Sequence, residues 1–230
     1  MIKIENAEVS GWHAALRGMR DPMASWEDGC DSFDCNPEKC PMVYYDEASA
    51  LDCHHGAFDI CIGERDMAQM LERSSAEAGH PKYLRMITVS ADITAPLYWW
   101  NEYDAYKVGT VDSSYSTLNR IGTKEFTIED FSYECLDIDS IGCLDDTIRQ
   151  LNLYRDRFND TQNPTAKWGL IQLLPACYNQ KRTVMLNYAV LKNMYHGCRS
   201  LWLGEWLDFC NWAEKLPYFK VLCIDTKKKK

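Results

Sequence analysis

Alternation of apolar and polar side chains over residues 83–93 is the feature that most constrains the fold. The apolar residues at every second position would lie on one side of an extended chain: Ile87, Val89, Ala91 and Ile93. Their neighbours on the other side are Thr88, Ser90 and Asp92. A period of two is typical of a β-strand with one buried face. We therefore expect a sheet in a chain whose other patterns are mainly helical.

Most other patterned segments predict helices, with two further short strands. The predicted helices cover residues 10–19 with Ser10 as the cap, 65–78, 96–106, 141–158, 163–174 and 201–215. The predicted strands cover residues 1–9 and 58–62. The small hydroxyl residues of 109–119 resemble a ligand loop more than a packing element.

Residues 183–199 also fit a helix, because Leu186, Val190, Met194 and Cys198 fall in one row of a helical wheel. Asn187 lies among these apolar residues, where an amide is costly unless it is hydrogen-bonded. A second face carries three basic side chains, Lys192, His196 and Arg199. Basic groups beside buried amides suit an anionic, heteroaromatic ligand. The alternative is a solvated basic face with one satisfied core asparagine.

Composition limits the class of protein. At 230 residues and 46% hydrophobic residues, the chain is long enough for one domain with a substantial core. The net charge of -9 argues against a nucleic-acid duplex as partner, whereas a small phosphate ligand needs only a local basic pocket. No apolar run is long enough for a membrane span, and the first residues lack the apolar core of a signal peptide, so we expect a cytoplasmic protein.

Residues 26–56 differ from the rest of the chain and read as a long inserted loop. They are acidic and contain six candidate metal ligands: Cys30, Cys35, Cys40, Cys53, His54 and His55. Thiolates and imidazoles are zinc ligands, but these spacings do not match a common zinc knuckle. The odd count of 11 cysteines, many in apolar contexts, favours reduced thiols over a disulfide framework. We expect an ordinary reduced-thiol loop without a stoichiometric metal, with zinc as the alternative.

Common catalytic motifs are absent from the sequence. There is no phosphate loop, no Gly-x-Gly-x-x-Gly turn, no His-Glu-x-x-His and no Gly-x-Ser-x-Gly elbow. These absences leave any chemistry to side chains that are distributed along the chain.

Three segments resemble the flavin-dependent thymidylate synthases, in the same order and at similar distances. Residues 79–85, Gly-His-Pro-Lys-Tyr-Leu-Arg, are similar to the family's Gly-His-x-Ser/Thr-x-x-Glu-His. Residues 105–112, Ala-Tyr-Lys-Val-Gly-Thr-Val-Asp, are similar to its Arg-His-Arg-Ile-Ala-Ser-x-Asn signature. Leu174-Pro175, with Asn187 twelve positions after that proline and Asn193 six further on, matches the spacing of the family's Leu-Pro and two flavin-contacting asparagines. The resemblance covers roughly residues 79–206.

The departures fall on charged positions of the family. Ala105 and Tyr106 stand where the signature has Arg and His, and only Lys107 keeps a charge. Cys198 occupies the position of the Arg that polarises the pyrimidine ring, with Arg199 one residue later. A shift of one residue on a helix turns a side chain by about 100 degrees. Lys82 and Arg85 replace the hydroxyl and acidic residues of the first motif, which makes that pocket more basic.

The resemblance implies an α/β fold, a twisted and mainly antiparallel sheet flanked by helices, in a single domain over 1–230 with the Cys-rich loop inserted at about 26–56. It implies FAD as cofactor, NADPH and methylenetetrahydrofolate as co-substrates, and a homotetramer with active sites between subunits. The implied flavin contacts are His80, Lys82, Lys107, Asn187 and Asn193. The implied nucleotide contacts are Ser113, Ser114, Ser116, Arg120 and Lys192, with Arg199 as the catalytic residue.

The expected function is a divergent flavin-dependent thymidylate synthase, a methyltransferase acting in nucleotide biosynthesis. It would carry out reductive methylation, or a related one-carbon modification, of a pyrimidine deoxynucleotide such as dUMP. The alternative is a non-catalytic nucleotide-binding or interaction protein on the same scaffold. A metal-stabilised binding module built on the cysteine loop is a third hypothesis.

Overall fold

A computed structural model gives the structure of the protein and describes residues 2–21, 31–34, 60–74, 81–106, 108–114 and 121–224. The strands are β1 Lys3–Ser10, β2 Phe33–Asp34, β3 Ile60–Cys61, β4 Thr88–Pro96, β5 Val111–Ser114 and β6 Asn179–Asn187. The helices are α1 Trp12–Arg20, α2 Glu64–Ser74, α3 Leu97–Tyr103, α4 Ile138–Thr161, α5 Pro164–Gln172, α6 Tyr188–Cys198 and α7 Gly204–Ala213. Short 3-10 turns cover Lys82–Arg85, Asp104–Tyr106 and Ile128–Asp130, and a π turn covers Lys220–Ile224.

The main sheet has four strands in the order β1-β4-β6-β5, and all neighbouring strands are antiparallel. Its inner strand β4 buries Val89, Ala91 and Ile93, as the alternating pattern predicts. The strand begins only at Thr88, because the preceding residues form the 3-10 turn Lys82–Arg85. An antiparallel sheet flanked by helices confirms the predicted α/β class.

The edge strand β1 carries a β-bulge. Its register against β4 shifts between Glu5 and Glu8, and Asn6 adopts a positive φ of 52°. The amide of Asn6 donates to Asp92 Oδ2 at 3.0 Å. An extra residue bends an edge strand locally and increases its twist.

The helix predicted over 183–199 is wrong in its first part. Residues 179–187 form strand β6, which pairs with β4 on one side and β5 on the other. Gln180, Val184 and Leu186 are buried at alternating positions, with Arg182 between them on the same side. The helix prediction fails here because Leu186 also fits a strand with a period of two. Pairing with two strands that are distant in sequence determines that this segment is a strand. Helix α6 starts at Tyr188.

Helix α1 is present, but the predicted Ser10 cap is wrong. Gly11 occupies the N-cap position in a left-handed conformation with φ 90°. A Cβ at this position would lie 2.0 Å from the carbonyl oxygen of Met86, so only glycine fits there. The Ser10 hydroxyl instead lies 2.9 Å from Thr88 Oγ1 across the sheet.

Two hydrophobic clusters form the core. The larger one packs the buried face of the sheet against α1, α3, α6 and α7. The smaller one lies beneath α4 and α5 and includes Leu144, Ile148 and Leu151 from the predicted inner face of α4. None of the helices within the described ranges is both long and apolar enough to cross a membrane.

Only residues 31–34 of the predicted insertion are described. Asp31 accepts hydrogen bonds from the backbone N–H groups of Arg65 and Asp66 at 2.8 and 3.0 Å. The hydroxyl of Ser32 donates to Asp66 Oδ2 at 2.6 Å, and Asp66 also pairs with Arg20. The candidate ligands Cys30, Cys35, Cys40, Cys53, His54 and His55 lie outside the described residues. Within the described ranges, no three His, Cys, Asp or Glu side chains are grouped to hold a metal ion. The single domain with an inserted loop stays a prediction.

Candidate functional site

Residues 104–114, which we call the signature segment, connect α3 to the outer strand β5. The segment begins with the 3-10 turn Asp104–Tyr106 and ends with Val111–Ser114 paired to β6. Part of the predicted polar loop over 109–119 is therefore a strand. Lys107 lies outside the described residues. The segment runs beside helix α6, and contacts at both ends of that helix hold it.

Asn187 joins the signature segment to the N-terminal end of α6. It is the N-cap of the helix, and its Oδ1 accepts from the backbone N–H of Val190 at 3.0 Å. Its Nδ2 donates to the carbonyl oxygen of Gly109 at 3.2 Å. Gly109 has a φ of +91°, and a Cβ there would meet Asn187 Nδ2 at 3.1 Å. The amide is therefore a partly exposed helix cap and not a core asparagine of the kind that the helical row predicts.

Tyr106 joins the segment to the C-terminal end of α6. Its hydroxyl oxygen lies 3.1 Å from Cys198 Sγ. A Cβ on Gly197 would lie 2.7 Å from the same oxygen, so this glycine leaves room for the tyrosine. The hydrogen bond with Cys198, followed by burial, raises the pKa of Tyr106 to about 12. Burial raises the pKa of the Cys198 thiol, although the Tyr106 contact opposes that shift. Both groups are therefore neutral near pH 7.

Arg182 on β6 is a part of this region that the sequence patterns do not identify. Its Nη1 lies 3.2 Å from Asp104 Oδ1 and 3.2 Å from Asp112 Oδ2. The guanidinium carbon lies 4.3 Å from the centroid of the Trp100 ring. In the sequence, Arg182 is marked only as a basic residue at an alternating position among mainly apolar ones. The helix predicted over 183–199 does not reveal this alternation.

The basic side chains of Lys192 and His196 on α6, and of Arg199 at its C-cap, contact three different parts of the chain. Lys192 Nζ donates to the carbonyl oxygen of Ser74 at 3.1 Å, and His196 Nε2 lies 2.9 Å from that of Cys223. Arg199 Nη1 donates to Asn211 Oδ1 at 2.9 Å, and its Nη2 lies 3.4 Å from Glu214 Oε1. Because each of these basic side chains contacts a different part of the chain, the three do not converge on one open pocket.

The remaining predicted contacts divide into two groups. Lys82 is exposed at the start of its 3-10 turn, Asn193 is exposed on α6, and Ser113 and Ser114 are exposed on β5. His80, Ser116 and Arg120 lie outside the described residues, as does Lys107. Amide and ammonium donors that are open to solvent suit the ring edges and phosphates of a flavin nucleotide, so Lys82 and Asn193 fit such a group chemically. Asn187 fits with the N–H that its Gly109 contact leaves free.

A cavity of about 570 Å³ lies elsewhere, between β1, the start of α1 and the end of α7. Its lining includes Glu8, Ser10, Trp12, Trp212 and Lys215. It shares no residue with the predicted site. Asn187, Ser113 and Ser114 instead lie on or against the signature segment, so we place the candidate site there.

Structural comparison identifies the fold. The chain resembles thymidylate synthase X (ThyX) from Helicobacter pylori, solved with FAD and dUMP, with a TM-score of 0.64 and 14% sequence identity. The match covers 98% of this chain and 99% of that chain. A second structure of the H. pylori flavin-dependent enzyme, also complexed with FAD and dUMP, matches with a TM-score of 0.62 and 14% identity over 98% of this chain and 100% of that one.

The chain has the ThyX fold. No protein-family model matches the sequence, and no curated protein matches it at a significant level. The architecture therefore matches that of the two H. pylori structures over nearly the full length of the chain, at a sequence identity of only 14%. In this fold, Asn187, Tyr106 and Cys198 lie around one helix, α6.

Proposed function

We propose that this protein binds FAD and a pyrimidine deoxynucleotide such as dUMP, and catalyses a reductive one-carbon modification of the pyrimidine. One observation carries the proposal. In a fold that holds FAD and dUMP in its structural neighbours, the signature segment is attached to α6 by the Asn187 amide and the Gly109 carbonyl. The second N–H of the Asn187 amide and the exposed Asn193 amide on the same helix are donors that suit a flavin nucleotide.

Each predicted residue receives a role in this proposal. His80, Lys82, Lys107, Asn187 and Asn193 would bind the flavin. Ser113, Ser114, Ser116, Arg120 and Lys192 would bind the nucleotide, and Arg199 would stabilise charge that develops on the pyrimidine ring. When bound, the flavin would supply a hydride, with methylenetetrahydrofolate as carbon donor and NADPH as reductant. From the same resemblance, we propose a homotetramer with active sites between subunits.

A second candidate is a nucleotide-binding protein on the same scaffold without catalysis. The pair formed by Tyr106 and Cys198 favours it, because both groups are neutral near pH 7 where the family resemblance has His and Arg. Arg199 is also engaged with Asn211 and Glu214. A neutral pair stabilises a developing charge less than a guanidinium does.

Absorption spectroscopy, calorimetry and isotope release together separate the two candidates. We expect the purified protein to take up FAD, to bind dUMP, and to release deuterium from the reacting carbon of labelled dUMP. Asn193→Ala should weaken FAD uptake because the side chain is exposed and its loss leaves the fold intact. The matched control is Gln150→Ala, an exposed amide on α4. A protein that binds both ligands without deuterium release supports the second candidate, and one that takes up neither contradicts both.

A further inference from the structure

Arg182 connects both ends of the signature segment to one point on β6. One nitrogen, Nη1, contacts Asp104 at the start of the segment and Asp112 in β5, each at 3.2 Å. A side chain of this kind fixes the distance between the two ends of a loop. The intervening residues include Val108, which is 91% exposed and so gains little from packing of its own.

The guanidinium is itself held in place. Its Nε donates to Gln180 Oε1 at 3.0 Å, and its central carbon lies over the Trp100 ring, 4.3 Å from the centroid. The Arg182 side chain is 13% exposed, whereas those of Asp104 and Asp112 are 29% and 33% exposed. An arginine fork can satisfy several acceptors at once, and stacking on an aromatic ring orients it. The guanidinium is therefore held by contacts outside the segment, and it links Asp104 in the 3-10 turn to Asp112 in the paired strand β5.

The attachment of the segment depends on the positive charge of Arg182. Two carboxylates share one cation, so removal of that cation leaves two like charges side by side in a partly buried setting. Like charges at short range repel more strongly when water is partly excluded. Without Arg182, the repulsion would push the start of the segment away from β5.

We propose that Arg182 is a positioning residue, which holds the signature segment in its ligand-binding form by neutralising Asp104 and Asp112. This inference rests on the proposed function for its ligand, a pyrimidine nucleotide. Arg182 touches neither reacting group in this scheme. It acts through the loop that carries Tyr106 and Gly109.

Two substitutions at Arg182 test this role. Arg182→Met keeps an unbranched side chain over Trp100 and removes the charge, while Arg182→Lys keeps the charge and loses the fork. Asp104→Asn with Asp112→Asn, added to Arg182→Met, removes the repulsion and should restore the segment. Arg149→Met is the matched control, since Arg149 makes an exposed ion pair with Asp146 on α4. Melting temperatures establish that each variant is folded.

Amide hydrogen exchange measures the attachment without any ligand. We expect exchange over residues 104–114 to become at least about tenfold faster in Arg182→Met, with little change over α4. Arg182→Lys should be intermediate, and the triple variant should return towards the parent. Unchanged exchange over 104–114 in Arg182→Met would overturn the proposal. If Arg182→Met does not fold, the Arg182→Lys and triple variants decide it in the same way.

Calorimetry with dUMP then tests the consequence for binding. Arg182→Met should bind dUMP about tenfold more weakly than the parent, and the triple variant should recover part of the loss. Equal dUMP affinity in the parent and Arg182→Met, despite faster exchange, would overturn the positioning role. If the parent itself binds no dUMP, the proposed function fails, and the exchange data alone decide whether Arg182 holds the segment.

Discussion

The two ends of helix α6 hold the same segment by different chemistry. At the N-terminal end, Asn187 uses an amide that also caps the helix. At the C-terminal end, Tyr106 meets Cys198 in a neutral pair, and the next residue, Arg199, bonds to Asn211. The first end keeps the amide expected for flavin binding. At the second end, Cys198 stands where the resemblance implies a cation.

Under the proposed function, this difference would separate ligand binding from chemistry within one helix. Contacts that orient a ligand need donors and shape, whereas stabilisation of a developing charge needs a well-placed cation. A chain can therefore retain ligand binding while its catalytic end changes. Substitutions at the two ends should affect different measurements.

The largest effect is expected from Arg199→Ala. If Arg199 stabilises charge on the pyrimidine, the deuterium-release rate should fall about 100-fold while dUMP affinity changes little. The free energy of unfolding should change by no more than about 1 kcal/mol, because its contacts with Asn211 and Glu214 are partly exposed. Arg199→Lys, which keeps charge without the fork, should be intermediate in rate. Unchanged release by Arg199→Ala would remove Arg199 from the catalytic site.

Asn187→Ala should destabilise the fold by about 2 kcal/mol, measured by urea denaturation. The loss combines a helix cap, worth about 1 kcal/mol, with the hydrogen bond to Gly109. Asn193→Ala is the paired comparison, because that exposed amide makes no hydrogen bond within the described ranges. It should change stability by less than about 0.5 kcal/mol. Similar destabilisation by both substitutions would contradict the structural role given to Asn187.

Gly197→Ala probes the opposite end of the helix through a double-mutant cycle with Tyr106→Phe. In the parent, the new methyl group would lie 2.7 Å from the Tyr106 hydroxyl and disturb its contact with Cys198. In Tyr106→Phe the nearest ring carbon is 3.7 Å away, so the helix should gain up to about 1 kcal/mol from alanine. We expect a coupling of about 1 kcal/mol between the two sites. Additive changes would show that Tyr106 does not lie over Gly197.

Glu214 should give the smallest effect, visible only in the pH dependence of stability. The hydrogen bond from Tyr195, followed by the cations Lys220 and Arg199, holds the pKa of Glu214 below its usual value. A lowered folded pKa adds stability above the unfolded value of about 4.3 and loses it as pH falls through the folded pKa. Glu214→Gln should therefore make the decline in melting temperature below about pH 5 slightly shallower. An identical decline in both proteins would mean that Glu214 does not contribute to it.

Local sequence patterns predict the helices and strands whose buried face is set by the periodicity of their own apolar residues. Strand β4 alternates on a single buried face, and α4 repeats Leu144, Ile148 and Leu151 at helical spacing. Strand β6 was missed because Leu186 continues the helical row of Val190 and Met194. Its identity depends on β4 and β5, which are distant in sequence.

The sequence indicates candidate site residues only where their spacing along the chain follows a recognisable pattern. The sequence singles out Asn187 as a polar residue in an apolar row, but its role as a helix cap follows only from the end of strand β6 at this residue. The contact of Tyr106 with Cys198 joins residues 92 positions apart, and Arg182 reaches Asp104 and Asp112 across 78 and 70 positions. No periodicity links such pairs, so only the folded chain reveals them.

The bulge at Asn6 has a consequence for how molecules of this protein meet one another. Strand β1 is an outer strand, and a regular outer strand presents unpaired N–H and C=O groups to any neighbouring chain. The register shift between Glu5 and Glu8 interrupts that row, and charged side chains, Lys3, Glu5 and Glu8, line the strand. Two molecules approaching side by side through β1 therefore cannot form a continuous ladder. An irregularity of this kind disfavours edge-to-edge pairing at the side of the sheet opposite β5.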